Sequence, residues 1–69
     1  MSSIRVTVNG ERRELPTGIT IGQLVADSGL PENAVAVEVN ERLVPRAERA
    51  NHPVSDGDRV ELVTLVGGG

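Results

Sequence analysis

Only one stretch of this chain has the apolar spacing of a helix, and that stretch is short. Ile21, Leu24 and Val25 fall on one helical face, and Thr20 and Gln23 have the spacing of an N-terminal capping box. The sequence Ser28-Gly29-Leu30-Pro31 ends the helix, because glycine suits the left-handed position that follows a helix and proline cannot continue it. So short a helix is not stable alone, and it must pack against a sheet.

The other apolar residues alternate with polar ones, which predicts strands. Strands are expected at residues 4–8, 11–15, 35–39, 42–45 and 59–66, with one helical turn at 46–51. Asn9-Gly10 predicts a tight hairpin of type I′ between the first two strands, and Asp56-Gly57-Asp58 predicts a turn before the last one. Charged residues place the second strand at a sheet edge, and Pro45 restricts the fourth strand to an edge as well.

This element order predicts a compact α+β roll in which the helix covers one face of the sheet. The other face lies in solvent, and there Val63 and Leu65 would be exposed on the last strand. These two side chains form either a patch that contacts a partner or the scattered aliphatic surface that most proteins have.

The composition excludes several classes of function. The chain has no cysteine and no aromatic residue, which excludes disulfides, thiolate metal sites, a cysteine nucleophile and stacking on nucleobases. A net charge of −3 argues against a nucleic-acid partner. With no signal peptide and no long apolar run, we expect a cytoplasmic protein without membrane association. His52 is the only histidine and has no triad or metal set around it. We therefore expect no catalytic residues, no bound metal and no bound cofactor.

The sequence ends in Gly67, Gly68 and Gly69, directly after an aliphatic run. Glycine has no Cβ, so such a tail fits extended into a narrow slot and leaves its carboxylate sterically open to another protein. The alternative is a frayed end without function. We expect a folded domain over residues 1–66 and a flexible tail over residues 67–69.

Taken together, these features resemble the small ubiquitin-like sulfur carriers, and the resemblance is closest to the ThiS family of thiamine biosynthesis. It extends over essentially the whole chain. The most specific segments are Val44-Pro45-Arg46, Asp56-Gly57-Asp58 and Val66-Gly67-Gly68-Gly69. The molybdopterin-synthase small subunit, MoaD, has a similar tail but usually a longer chain and a different middle, and it is the alternative.

The resemblance implies a β-grasp fold, with a mixed sheet of four to five strands and one main helix. It implies a sulfur carrier that is a co-substrate of enzymes rather than an enzyme, and a monomer when alone. An adenylating enzyme of the ThiF type would use ATP and magnesium to activate Gly69, and a sulfur donor such as a cysteine desulfurase would then yield a thiocarboxylate. Thiazole synthase, of the ThiG type, would receive the sulfur. Gly67 and Gly68 would present the carboxylate, and Val63 and Leu65 match the strand that faces the partner.

Two other functions remain open. The activated tail could form isopeptide bonds with other proteins, although the absence of lysine prevents such a modifier from building chains on itself. The chain could also be an interaction domain whose end has no chemical role.

Overall fold

A computed structural model describes residues 2–65 of the chain. It contains five strands and one α-helix, in the order β1 (Ser3–Val8), β2 (Glu11–Pro16), α1 (Ile21–Ser28), β3 (Val35–Val39), β4 (Arg42–Leu43) and β5 (Arg59–Thr64). Two short 3₁₀ segments, Glu32–Ala34 and Arg46–Asn51, precede β3 and β5. The predicted α+β class with one main helix is confirmed.

The five strands form one mixed sheet in the order β2-β1-β5-β3-β4. β5 lies in the centre, where it pairs parallel with β1 and antiparallel with β3. The two predicted edge strands, β2 and β4, are the edges. The last strand in sequence is therefore the element that joins two separate hairpins into one sheet.

The helix begins and ends where the sequence predicts. The Thr20 hydroxyl accepts a hydrogen bond from the backbone N–H of Gln23 at 3.2 Å, and the Gln23 side chain accepts one from the backbone N–H of Thr20 at 3.1 Å. Gly29 follows the helix with a φ of 79°, which a residue with a Cβ rarely adopts. Both ends of this short helix are thus capped, as predicted.

The core is entirely aliphatic and lies between the helix and one face of the sheet. Alternate residues of every long inner strand point into it, together with the apolar face of the helix. Its members are Ile4, Val6, Val8, Leu15, Ile19, Ile21, Leu24, Val25, Val35, Val37, Val39, Val44, Val54, Val60 and Leu62. The opposite face of the sheet carries no covering element in the part of the chain that the structure describes.

Element ends differ from the prediction for local reasons. β2 extends by one residue to Pro16, because an edge strand tolerates a residue that has no N–H group. β4 stops at Leu43, although the Val44 N–H still donates to the carbonyl of Val37 at 2.9 Å. β5 ends at Thr64, since its partner β3 begins at Val35 and the two residues are paired. Val66, which the prediction included, lies outside the described residues.

Candidate functional site

The end of β5 is the candidate site, because it leads toward the glycines of the tail. Val60 and Leu62 of this strand are buried. Val63 lies on the opposite face of the sheet, toward solvent, and 54% of its surface is exposed. Leu65 follows the strand, is 56% exposed, and donates its N–H to the carbonyl of Ala34 at 2.6 Å. The predicted exposure of Val63 and Leu65 is therefore confirmed, and their contact with a partner stays a prediction.

The structure adds Leu43 to these exposed aliphatic side chains. Leu43 is 66% exposed and pairs with Glu38 across the β3–β4 edge. Glu38 lies two residues from Ala36, which pairs with Val63, so Leu43 and Val63 share the solvent face of the sheet. Sequence reasoning missed Leu43 because the register of so short an edge strand is not visible in the sequence.

Two carboxylates lie between these aliphatic side chains. Glu38 and Glu61 are directly paired across β3 and β5, and both are exposed. Like charges that face each other across two strands destabilise the pair. The nearest cation on β5, Arg59, makes an ion pair with Glu41 at 2.9 Å instead. The solvent face of β3 and β5 is thus both apolar and acidic.

The backbone of β5 is held by asparagine side chains from two turns. Asn9 precedes Gly10 in the β1–β2 turn, and its amide oxygen accepts the Leu62 N–H at 2.7 Å while its amide nitrogen donates to the Leu62 carbonyl at 3.2 Å. Asn40 follows β3, and its amide oxygen accepts the Arg59 N–H at 2.9 Å. The positive φ values of Asn9 and Gly10, 50° and 81°, confirm the predicted turn, whereas the contacts with β5 were not predicted.

Arg49 is the one buried charged side chain among the described residues, with 6% of its surface exposed. Its guanidinium donates to the carbonyls of Glu32 and Val35, at 3.1 Å and 2.5 Å. Arg49 therefore fixes the segment whose Ala34 carbonyl accepts the N–H of Leu65. Sequence reasoning placed Arg49 in a helical turn and gave it no role.

The predicted tail residues Gly67, Gly68 and Gly69 lie outside the described residues, so the structure does not place them. Within residues 2–65, no group of three or more histidine, aspartate or glutamate side chains is arranged to hold a metal ion. The helix found in the same range is too short and too polar to cross a membrane.

A mixed sheet in which the first and last strands are parallel neighbours, covered by one helix, places the chain in the ubiquitin-like β-grasp class. The crystal structure of a thiamine biosynthesis protein (ThiS) from Geobacter metallireducens superimposes with a TM-score of 0.82 at 29% identity, over 96% of this chain and 100% of that one. This similarity confirms the predicted β-grasp fold. The sequence profile of the ThiS family matches residues 6–69, and the chain belongs to this family.

Two relatives match nearly the whole of this chain, one of them a protein of similar length and the other a much longer protein. The sulfur carrier protein ThiS of Thermus thermophilus is 39% identical over 64 residues, which are 93% of this chain and 98% of that protein. A thiazole synthase of Paramagnetospirillum magneticum is 36% identical over 66 residues, which are 96% of this chain. The chain spans only 20% of the length of that synthase.

Proposed function

We propose that this chain is a sulfur carrier for thiazole formation in thiamine biosynthesis, and that the carboxylate of Gly69 carries the sulfur. The observation that supports this most is the match to the ThiS family, which includes the glycines at 67–69. The fold is consistent with it, because the central strand β5 runs toward those residues and is hydrogen-bonded on both sides.

The proposed chemistry has two steps, both on the carboxylate of Gly69. A carboxylate oxygen attacks the α-phosphorus of ATP, pyrophosphate leaves, and an acyl-adenylate forms. A sulfide nucleophile then attacks the acyl carbon, AMP leaves, and the product is a thiocarboxylate. The first step depends on positioning and on charge neutralisation, which ATP-bound magnesium and the adenylating enzyme would supply. Gly67 and Gly68 would let the carboxylate enter a narrow active site, since neither carries a Cβ.

We propose the solvent face at the end of β5 as the docking surface for the partner enzymes. Val63 and Leu65 would contact the partner directly, and Leu43 extends the same face. An exposed aliphatic cluster next to the tail would orient the carboxylate while the partner binds.

A functional link to thiazole synthase is supported by the relative in Paramagnetospirillum magneticum. Nearly the whole of this chain matches one fifth of a protein that carries the name thiazole synthase. A segment similar to this chain within a thiazole synthase is expected if the carrier and the synthase act together. We propose that this chain delivers sulfur to a thiazole synthase, and that a ThiF-type enzyme and a sulfur donor act before it.

Intact-mass measurement tests the proposal. The protein is incubated with a ThiF-type enzyme, ATP, magnesium and sulfide, and we expect a product heavier by the mass difference between sulfur and oxygen. Deletion of Gly69 is expected to abolish this product, while the far-ultraviolet circular dichroism spectrum stays unchanged. If wild-type protein forms neither the adenylate nor the thiocarboxylate, the proposed function is wrong.

A second measurement tests the recipient of the sulfur. The thiocarboxylate is offered to a thiazole synthase with its other substrates, and to a molybdopterin synthase large subunit with its precursor. We expect sulfur transfer in the first mixture alone. Transfer only in the second mixture would assign the chain to molybdopterin synthesis instead.

A further inference from the structure

The end of β5 has fewer backbone contacts on its β1 side than on its β3 side. The parallel ladder with β1 consists of Thr7 with Arg59 and Val8 with Val60. The antiparallel ladder with β3 continues to Thr64, and Leu65 adds its bond to Ala34. Beyond Val60, the β1 side therefore needs another partner if the strand is to be held from both directions.

Asn9 supplies that partner. Its backbone N–H donates to the Val60 carbonyl at 2.9 Å, and its side-chain amide bonds both the N–H and the carbonyl of Leu62. An amide side chain carries the same acceptor and donor as a peptide unit, so Asn9 extends the β1–β5 ladder by one more rung. The Leu62 N–H requires an acceptor, so the amide oxygen of Asn9 faces this N–H and the amide nitrogen faces the Leu62 carbonyl.

We propose that Asn9 is a positioning residue for the carrier function: its side chain holds the end of β5 so that Val63 and Leu65 keep one fixed position on the solvent face of the sheet. This inference rests on the proposed function. Leu62 is the last residue that the β1 side holds, and Val63 follows it directly. Without the Asn9 side chain, the docking surface would be fixed by the β3 side alone.

The chain offers a matched control in Asn40. Asn9 and Asn40 both have a positive φ, 50° and 53°, and both direct their side chains to β5. Asn40 bonds the beginning of the strand at Arg59, and its amide nitrogen donates to Asp58 at 2.9 Å. The two asparagines hold opposite ends of β5, Asn9 with two side-chain bonds to Leu62 and Asn40 with one to Arg59.

The test compares Asn9→Gly with Asn40→Gly. Glycine keeps the positive φ in each turn and removes only the side-chain bonds. Amide hydrogen exchange is measured on the free proteins, and steady-state adenylation is measured with a ThiF-type enzyme. For Asn9→Gly we expect faster exchange at Leu62 by about tenfold and a KM for the carrier raised by about fivefold, with kcat nearly unchanged, because the net value of such bonds is modest. Asn40→Gly should accelerate exchange at Arg59 and leave KM at the wild-type value.

A partial variant tests the cause. Asn9→Asp keeps the acceptor for the Leu62 N–H and loses the donor, so exchange at Leu62 and KM should both lie between wild type and Asn9→Gly. An unchanged KM in Asn9→Gly, or an equal rise in Asn40→Gly, would overturn the positioning role. Failure of the wild-type protein to be adenylated would instead reject the proposed function. Exchange at Leu62, which is measured without the enzyme, would still show whether the Asn9 side chain holds β5.

Discussion

Replacement of Arg49 by methionine tests which of two opposing energies dominates at a buried cation. Methionine retains the unbranched aliphatic stem, which packs in the same space, and it removes the guanidinium. The carbonyls of Glu32 and Val35 then lose their donors. The variant therefore separates the value of the hydrogen bonds from the value of the packing.

The magnitude follows from the contacts. Each hydrogen bond from a charged donor contributes about 1.5–3 kcal/mol, and Arg49 makes two to backbone carbonyls. Against this, the burial of a cation costs several kcal/mol. In the described part of the chain, no carboxylate lies within ion-pair distance of Arg49, and its Nε has no hydrogen-bond partner. Because removal of the donors leaves the buried Val35 carbonyl without its hydrogen bond, we expect a net loss of about 2 kcal/mol in the free energy of unfolding.

Urea denaturation followed by circular dichroism measures this loss. With a slope of about 1 kcal/mol/M for a domain this small, the midpoint should fall by about 2 M. Arg49→Lys should lose about half as much, since an ammonium group donates but lacks the planar fork. Arg46→Met, an exposed arginine of the same 3₁₀ segment, should change stability by less than about 0.5 kcal/mol. If Arg49→Met were as stable as wild type or more stable, the buried guanidinium would make no net contribution to stability and our reasoning would be wrong.

Other substitutions have expected effects of smaller size. Thr20→Ala removes the hydrogen bond from the Gln23 N–H to the Thr20 hydroxyl and should lower the free energy of unfolding by about 1 kcal/mol, as measured by thermal denaturation. A loss below a third of that value would show that the helix does not depend on this cap. Glu61→Gln removes one of the two paired carboxylates and should stabilise the protein by about 0.2–1 kcal/mol at low salt. The gain should be smaller at high salt, because salt screens the repulsion. A loss of stability would show that the two carboxylates do not repel each other. Gly22→Ala should not give the usual gain of about 1 kcal/mol in helix propensity, because its Cβ would lie 3.3 Å from the Ala50 Cα. A full gain in the urea midpoint would show that the 3₁₀ segment moves aside freely.

The local structure could be predicted from the sequence because its causes are local. The capping box of α1 depends on two residues three positions apart, and Gly29 ends the helix for a reason visible in one residue. The Asn9-Gly10 turn needs only the positive φ of adjacent residues. Strand periodicity likewise separated the buried Val60 and Leu62 from the exposed Val63.

The contacts that hold the candidate site could not be predicted because they join distant parts of the chain. Asn9 and Leu62 are 53 positions apart, and nothing near Asn9 in the sequence indicates a second role beyond its turn. Arg49 reaches carbonyls 14 and 17 positions away, and its burial depends on how the 3₁₀ segment packs. The periodicity predicted five strands without their order, which the family resemblance alone implied.

The central place of β5 also links the order of synthesis to the order of folding. A chain released only as far as residue 58 contains the β1–β2 hairpin and the β3–β4 hairpin, and neither pairs with the other in the sheet. Contacts of such long sequence separation form late and slowly. The sheet becomes continuous only when β5 inserts between the hairpins, and β5 is the strand that leads to the tail. Under the proposed function, an activating enzyme that contacts this strand would bind the chain only after the sheet is complete.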